Sequence, residues 1–246
     1  MQALIYSLIA ALGVSAISLV GVLIIGASKR KLETMLFYLV SFSAGSLLGG
    51  AFFHLLPEAI EEGEPLSVFK VAVVGFILFF VLERVLRWHH CHKMHCDTHK
   101  IIGYQNLVGD GVHNFVDGLI IISAFWVDVS LGMAVTLSVM LHEIPQEIGD
   151  FGVLLYSGFS KTKAIMFNLL SALLSVVGVL VGFVLIAKIE SVVGFLLPFA
   201  AGGFMYISAS DLIPELHREK NVIKSLVASI LFALAILFML LLKIGE

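Results

Sequence analysis

Residues 222–244 read VIKSLVASILFALAILFMLLLKI, and nothing charged stands between Lys224 and Lys243. A helix that crosses a hydrocarbon core needs about 20 mostly apolar residues, and this stretch supplies them. Working outward, seven further stretches fit the same description, at approximately 3–26, 34–57, 67–87, 101–125, 130–156, 163–187 and 191–214. The composition agrees. Of 246 residues, 59% are hydrophobic and 13% charged, and the mean hydropathy is +1.05. A soluble domain carries about 25% charge, so this chain cannot cover itself with a water-compatible surface. A soluble enzyme, a disordered chain and a secreted disulfide scaffold are excluded, and nothing points to a nucleic-acid partner. The expected fold is an all-α polytopic membrane protein of eight transmembrane helices. Residues 1–246 then form one transmembrane domain in the lipid bilayer. The first stretch has no basic leader and is too long for a signal core, so it reads as a retained span.

Lysine and arginine set the orientation. Lys29, Arg30, Lys31, Arg84, Arg87, Lys93, Lys100, Lys161, Lys163, Arg218, Lys220 and Lys224 fall on one side. Only Lys70, Lys188 and Lys243 fall on the other, so 12 of the 15 basic residues share a side. The opposite side collects Glu58, Glu61, Glu62, Glu64, Asp128 and Glu190. Both termini are therefore expected to be extracytoplasmic, with the loop 88–100 in the cytoplasm.

An internal repeat underlies the spans. Ala44-Gly45-Ser46 leading to His54-Leu55-Leu56-Pro57-Glu58 aligns without a gap, at an offset of 157, with Ala201-Gly202-Gly203 leading to Asp211-Leu212-Ile213-Pro214-Glu215. Spans two and seven cross in opposite senses, so the repeat is inverted, in a 3+2+3 arrangement. Inverted repeats with proline-interrupted helices belong to secondary transporters with a site near the midplane.

The polar residues inside the spans locate that site. Span four carries Asp110, His113, Asn114 and Asp117 at i, i+3, i+4 and i+7, one helical face. Span five carries His142, Glu143, Gln146, Glu147 and Asp150 on two adjoining stripes, with Pro145 to kink the helix. Neither span contains a lysine or arginine. Ionisable groups in a span are costly and functional by default. These acids are either protonated or compensated by a cation that comes and goes. Imidazole, carboxylate and amide oxygen suit a divalent transition metal. A polar network that only holds the bundle together is a poor account of nine such groups on two consecutive helices. His142-Glu143 opens like the His-Glu-x-x-His of a metalloprotease, but Gln146 stands where the second histidine belongs, so no enzyme is expected.

His113-Asn114-Phe115-Val116-Asp117-Gly118 and His142-Glu143-Ile144-Pro145-Gln146-Glu147-Ile148-Gly149-Asp150 resemble the paired signatures of the ZIP family of divalent-metal transporters. The second is closest to the subfamily pattern His-Glu-x-Pro-His-Glu-x-Gly-Asp. The eight spans, outward termini and histidine-bearing third loop agree. The resemblance implies import of zinc, or else of iron, manganese or cadmium, through a two-metal site between spans four and five. By that match His113, Asp117, His142 and Gln146 hold the first ion, and Asn114, Asp117, Glu143 and Gln146 the second. It also implies a homodimer and an elevator-like movement of one helix group. Gln146 departs from the subfamily's histidine. Ser175 falls near the place where some relatives supply a carboxylate from span six.

Beyond that centre, His54 and Glu58 mark an entrance at the outer end of span two, followed by an acidic mouth that concentrates cations. Asp211 and Glu215 mark an exit. The cytoplasmic loop gathers His89, His90, Cys91, His92, His95, Cys96 and His99, an adaptable metal-binding tract. No resident cofactor is expected; the metal is cargo. A prokaryotic cell (inner) membrane is the expected location. A metal-selective channel and a non-transporting metal sensor are the competing classes.

Overall fold

The computed structural model describes residues 1–20, 29–87, 98–188 and 192–244, and within these it contains helices and no strand. Helix α1 covers Gln2–Ile17. Helix α2 (Lys29–Gly50) runs through a π-helical turn, Ala51–Leu55, into α3 (Leu56–Glu62). Then come α4 (Pro65–Arg87), α5 (Thr98–Val127) and α6 (Val129–Tyr156). A sixth rod is made of α7 (Lys161–Ala172) and α8 (Leu174–Lys188), broken at Leu173. Helix α9 (Val192–Tyr206) passes through a second π turn, Ile207–Leu212, into α10 (Ile213–His217), and α11 spans Val222–Ile244.

Six of the described helical segments are long and apolar enough to cross a membrane: Glu33–Glu61, Pro65–Val85, Gly103–Val127, Lys161–Lys188, Val192–His217 and Val222–Ile244. That is two fewer than the eight expected from the sequence. Helix α1 is apolar but short, and residues 21–28 of the expected first span lie outside the described residues. Helix α6 has 28 residues, enough to span, yet the cluster from His142 to Asp150 lowers its mean hydropathy. The same residues that make α6 interesting chemically make it a poor match by composition.

Both π turns run into a Pro-Glu pair, Pro57-Glu58 and Pro214-Glu215. Proline lacks an N–H and its ring clashes with the carbonyl four residues back. A widened turn just before it accommodates both defects. Close backbone crossings fix the rods. Gly45 of α2 lies against the Phe232 carbonyl of α11, and Gly202 of α9 lies against the Ala72 carbonyl of α4. A reciprocal crossing joins α5 and α8: Gly118 sits on the Ser175 carbonyl and Gly178 on the Phe115 carbonyl. Helix α1 packs against α5, α6 and α8. Outward faces are apolar, with Phe69, Val73, Ile77 and Phe80 on α4 and Leu226, Ile230, Leu234 and Leu241 on α11 exposed. Such a surface suits hydrocarbon, where the backbone is satisfied within each helix.

Glu64 opens α4 by accepting hydrogen bonds from the backbone N–H of Leu66 at 3.0 Å and Ser67 at 2.7 Å. The Ser67 hydroxyl first, and then these two amides, hold its carboxyl below the usual carboxylate range. A lowered folded-state pKa means the cap is intact above the ordinary value and is lost as pH falls through the lowered one. Amide exchange at Ser67 should therefore accelerate on acidification below the ordinary glutamate range, and should be pH-insensitive, after correction for intrinsic exchange, in Glu64→Gln.

Candidate metal centre

Helices α5 and α6 are joined by one residue, Asp128, whose carboxylate accepts from Ser130 N at 2.7 Å and caps α6. So short a connection forces the two helices to run antiparallel and side by side, and it brings their polar faces together. Pro145 has no N–H to offer the carbonyl of Leu141, and the Ser43 hydroxyl of α2 donates to that oxygen instead. The freed backbone group is thus satisfied by protein, as membrane depth requires.

Four side chains converge where α5 faces α6. The Nε2 atoms of His113 and His142 lie 3.1 Å apart, with their rings nearly perpendicular at 87°. Asp117 Oδ2 is 3.5 Å from His113 Nε2 and 3.4 Å from His142 Nε2. Glu143 Oε1 is 3.4 Å and 3.5 Å from the same two nitrogens. A tetrahedral ion holding N and O donors at about 2.0–2.1 Å separates them by about 3.3–3.4 Å, and the five distances, 3.1–3.5 Å, fall within about 0.2 Å of the edges of such a tetrahedron. A hydrogen bond between the two rings would account for one edge and not for the other four. His142 Nδ1 donates to the Ser138 carbonyl at 3.0 Å, which leaves the Nε2 lone pair facing the cluster, a typical outer-shell arrangement for a metal-binding histidine. Asp117, His142 and Glu143 are buried, and His113 is nearly so. Among the described residues, the carboxylate oxygens of Asp117 and Glu143 have no hydrogen-bond partner.

Gln146 is engaged with Asp110. Its amide nitrogen donates to Asp110 Oδ1 at 3.3 Å, and Glu143 supplies the fourth atom of the histidine cluster. Asn114 likewise donates to Asp110 Oδ1, at 2.9 Å. Both carboxamides are organised around Asp110, because a buried carboxylate draws nearby N–H donors more strongly than a neutral imidazole does. Ser175 faces α1, with its hydroxyl 3.1 Å from that of Ser15, and so turns away from the cluster.

A cavity of about 390 Å³ leads from the centre. It begins at His113 and Gln146, passes Asp110, Asn106 and Asp150, and reaches Glu83 and Asp211 near the end of the bundle where α4 stops and α5 starts. Asn106 donates to Asp150 at 3.0 Å, and the Tyr206 hydroxyl donates to Glu83. Asp211 therefore lines a path continuous with the centre. Glu215 does not: it is exposed and paired with Arg218 at 2.6 Å. At the other end of the molecule His54 is fully buried, its Nε2 donating to the Met239 carbonyl at 2.9 Å, and Glu58 lies 3.7 Å from Lys243 Nζ. Of the expected acidic mouth, Glu58 is thus ion-paired and Glu64 is committed to a helix cap. His89, His90, Cys91, His92, His95 and Cys96 lie outside the described residues, as does the side chain of His99, whose backbone belongs to the first turn of α5.

Asn168 of α7 went unnoticed in the sequence. It is buried and donates to the carboxylate of Glu147 and, at 3.3 Å, to its backbone carbonyl. The available signal was a lone carboxamide in an otherwise apolar span.

The family profile described as ZIP Zinc transporter matches residues 1–95 and 87–243. The chain is 32% identical to zinc transporter ZIP13 of Pongo abelii over 222 residues, 82% of this chain and 65% of that protein. It is 30% identical to ZIP13 of Gallus gallus, covering 88% of this chain and 75% of that one. With zinc transporter zipt-7.1 of Caenorhabditis briggsae the identity is 29%, over 80% of this chain and 67% of the other. The chain thus spans roughly two thirds to three quarters of the length of these relatives.

Proposed function

The chain belongs to the ZIP zinc transporter family, and from that premise we propose that it carries a divalent transition-metal ion, zinc first, across a membrane into the cytoplasm. The observation that carries this reading is the set of four donor atoms from His113, Asp117, His142 and Glu143, 3.1–3.5 Å apart in the measured pairs. No lysine or arginine occurs in α6, nor in α5 beyond its first turn. Two imidazoles and two carboxylates suit zinc, and they also admit iron or manganese. The ion's own charge balances the acids, so the centre is completed by its cargo.

Eight spans with both termini outside is the arrangement we adopt, counting α1 and α6 with the six apolar helices. The charge distribution supports it. The inverted repeat is supported by the two π turns, which begin within a residue of the 157-residue offset, and by Gly45 and Gly202, which match at that offset and each meet a neighbouring carbonyl. In this orientation the cavity past Asp211 opens to the cytoplasm and the His54 end is closed. The ion enters past His54, exchanges water for the ligands of the centre, and leaves along the Asp110–Asp211 path. Asn114 and Gln146 act from around Asp110, and Glu58 and Glu215 flank the two ends. The tract from His89 to His99 is a cytoplasmic metal sink.

The relatives carry transporter names, not enzyme names. Family and apolar helices make this an integral membrane protein. The relatives are animal proteins and lend a prokaryotic membrane no support. A homodimer follows from the resemblance, and the apolar outer faces of α4 and α11 are compatible with a second copy or with lipid.

Uptake of radioactive zinc by proteoliposomes tests the reading. Saturable uptake, competed by cadmium and iron, is expected. Binding without uptake would make the protein a sensor, and a flux that fails to saturate would make it a channel.

A further inference from the structure

The two histidines of the centre are held by different means. His142 Nδ1 donates to the Ser138 carbonyl at 3.0 Å, the kind of outer-shell hydrogen bond that fixes a metal-binding imidazole. His113 has no such anchor. Among the described residues its hydrogen-bonding contacts all run through Nε2, into the cluster itself. An aromatic ring packs on it from outside the cluster instead. Phe79 of α4 stands with its ring centroid 6.4 Å from that of His113 and the two planes at 89°, the edge-to-face arrangement that aromatic pairs favour. Phe79 is only 6% exposed, so it turns inward from a helix whose neighbouring side chains face outward. The fold keeps room for it: a Cβ on Gly203 of α9 would lie 2.6 Å from Phe79 Cε2 and 2.8 Å from its Cζ. Helices α4 and α9 are joined by a reciprocal crossing, with Gly75 against the Phe199 carbonyl and Gly202 against the Ala72 carbonyl. The ring therefore rests on a firm pair of helices, neither of which supplies a donor atom to the four-residue cluster.

We propose that Phe79 is a positioning residue for the transported ion: by packing alone it holds His113 in register with the other three donors, the task a hydrogen bond performs for His142. The inference deepens the transport reading above and rests on it for the meaning of release. Phe79 and His113 both line the cavity that runs to Asp211, so the less firmly held ligand is the one beside the path. A ring fixed by contact turns about its side-chain bonds once that contact loosens. Freeing His142 would also break a buried hydrogen bond, which is costly to leave unmade. His113 is then the ligand that lets go first, towards the Asp211 end, and the Phe79 ring sets how readily it does so. One aromatic contact thus couples affinity to release, firm packing favouring the bound ion and loose packing favouring turnover.

The test uses the full chain in two preparations. In nanodiscs the visible absorption of bound cobalt reports affinity at the cluster, and in proteoliposomes initial rates of zinc uptake give KM and the maximal rate. Phe79→Ala should weaken cobalt by roughly three- to tenfold, the strength of an aromatic pair, and raise KM by a similar factor without lowering the maximal rate. Gly203→Ala leaves Phe79 in the chain and pushes its ring aside, so both constants should move in the same direction. Phe79→Leu keeps an apolar contact and should fall between Phe79→Ala and the wild type, and it carries the same test if the alanine variant does not fold. Phe69→Ala, at an exposed position of the same helix, should match the wild type. A merely structural role for the ring predicts a lower Tm and a lower maximal rate, with cobalt affinity and KM unmoved. That pattern, or a Gly203→Ala protein with wild-type cobalt affinity, would overturn the proposal. Absence of zinc uptake by the wild type would overturn the transport reading instead, and the cobalt affinities would still decide whether Phe79 positions His113.

Discussion

His142→Ala should abolish saturable zinc uptake, and Asp117→Asn should come close to it. His142 contributes to three of the five measured edges of the donor figure, through its contacts with His113, Asp117 and Glu143. Losing an outer-shell partner of a metal ligand typically costs about 10–100-fold in affinity, so losing the ligand itself should exceed that. Alanine also removes the hydrogen bond from His142 Nδ1 to the Ser138 carbonyl. Asp117→Asn keeps the shape and deletes a charge, leaving two imidazoles and one carboxylate to desolvate a doubly charged ion. Initial rates of radiometal uptake, measured beside the wild type at matched protein density, decide the matter. Equal rates in all three proteins would remove the cluster from the transport path.

Gly118→Ala should be as damaging through structure as His142→Ala is through chemistry. A methyl group at Gly118 would fall on the Ser175 carbonyl, and one at Gly178 on the Phe115 carbonyl. Backbone cannot rotate away as a side chain can, so α5 and α8 must separate. Overpacking of a close contact costs typically about 1–3 kcal/mol, which corresponds to a fall in Tm of roughly 5 °C or more at the upper end. The displacement is carried by the helix that holds His113 and Asp117, so uptake should fall with stability. Gly149→Ala is the control: nothing lies within 4 Å of its added methyl, and alanine is the better helix former. Thermal unfolding in detergent should show Gly118→Ala and Gly178→Ala depressed and Gly149→Ala unchanged or raised.

Much of this molecule is legible in one dimension. The i, i+3, i+4, i+7 spacing from Asp110 to Asp117 dictates a shared face whatever the neighbours are, and the lack of lysine or arginine beside it leaves protonation or an outside cation to balance the acids. The gapless offset of 157 between the two Pro-Glu segments points to the same places where the π turns occur. What could not be read was partner choice. Nothing in the spacing of α6 says that Gln146 turns to Asp110 while Glu143 turns to the histidines. Both lie within reach, and the outcome depends on competition among donors at a few ångströms. Asn168 was hidden for a related reason: its partner Glu147 lies 21 residues away on another helix, and periodicity within one span carries no information about contacts between spans. The sequence reading counts α6 among its eight spans, whereas the described helices that are long and apolar enough number six, because the polar middle of α6 lowers its hydropathy and α1 is short.

Each π turn ahead of Pro57 and Pro214 inserts one residue beyond α-helical phase. With 3.6 residues per turn, everything downstream is rotated by about 100° around the rod compared with an unbroken helix. Deleting a single residue within Ile207–Leu212 would restore straight phase and swing the Pro214-Glu215 end out of alignment with α9. A conservative-looking deletion there is therefore a twist rather than a shortening, and the lining of the inner path is dialled by where that extra residue sits.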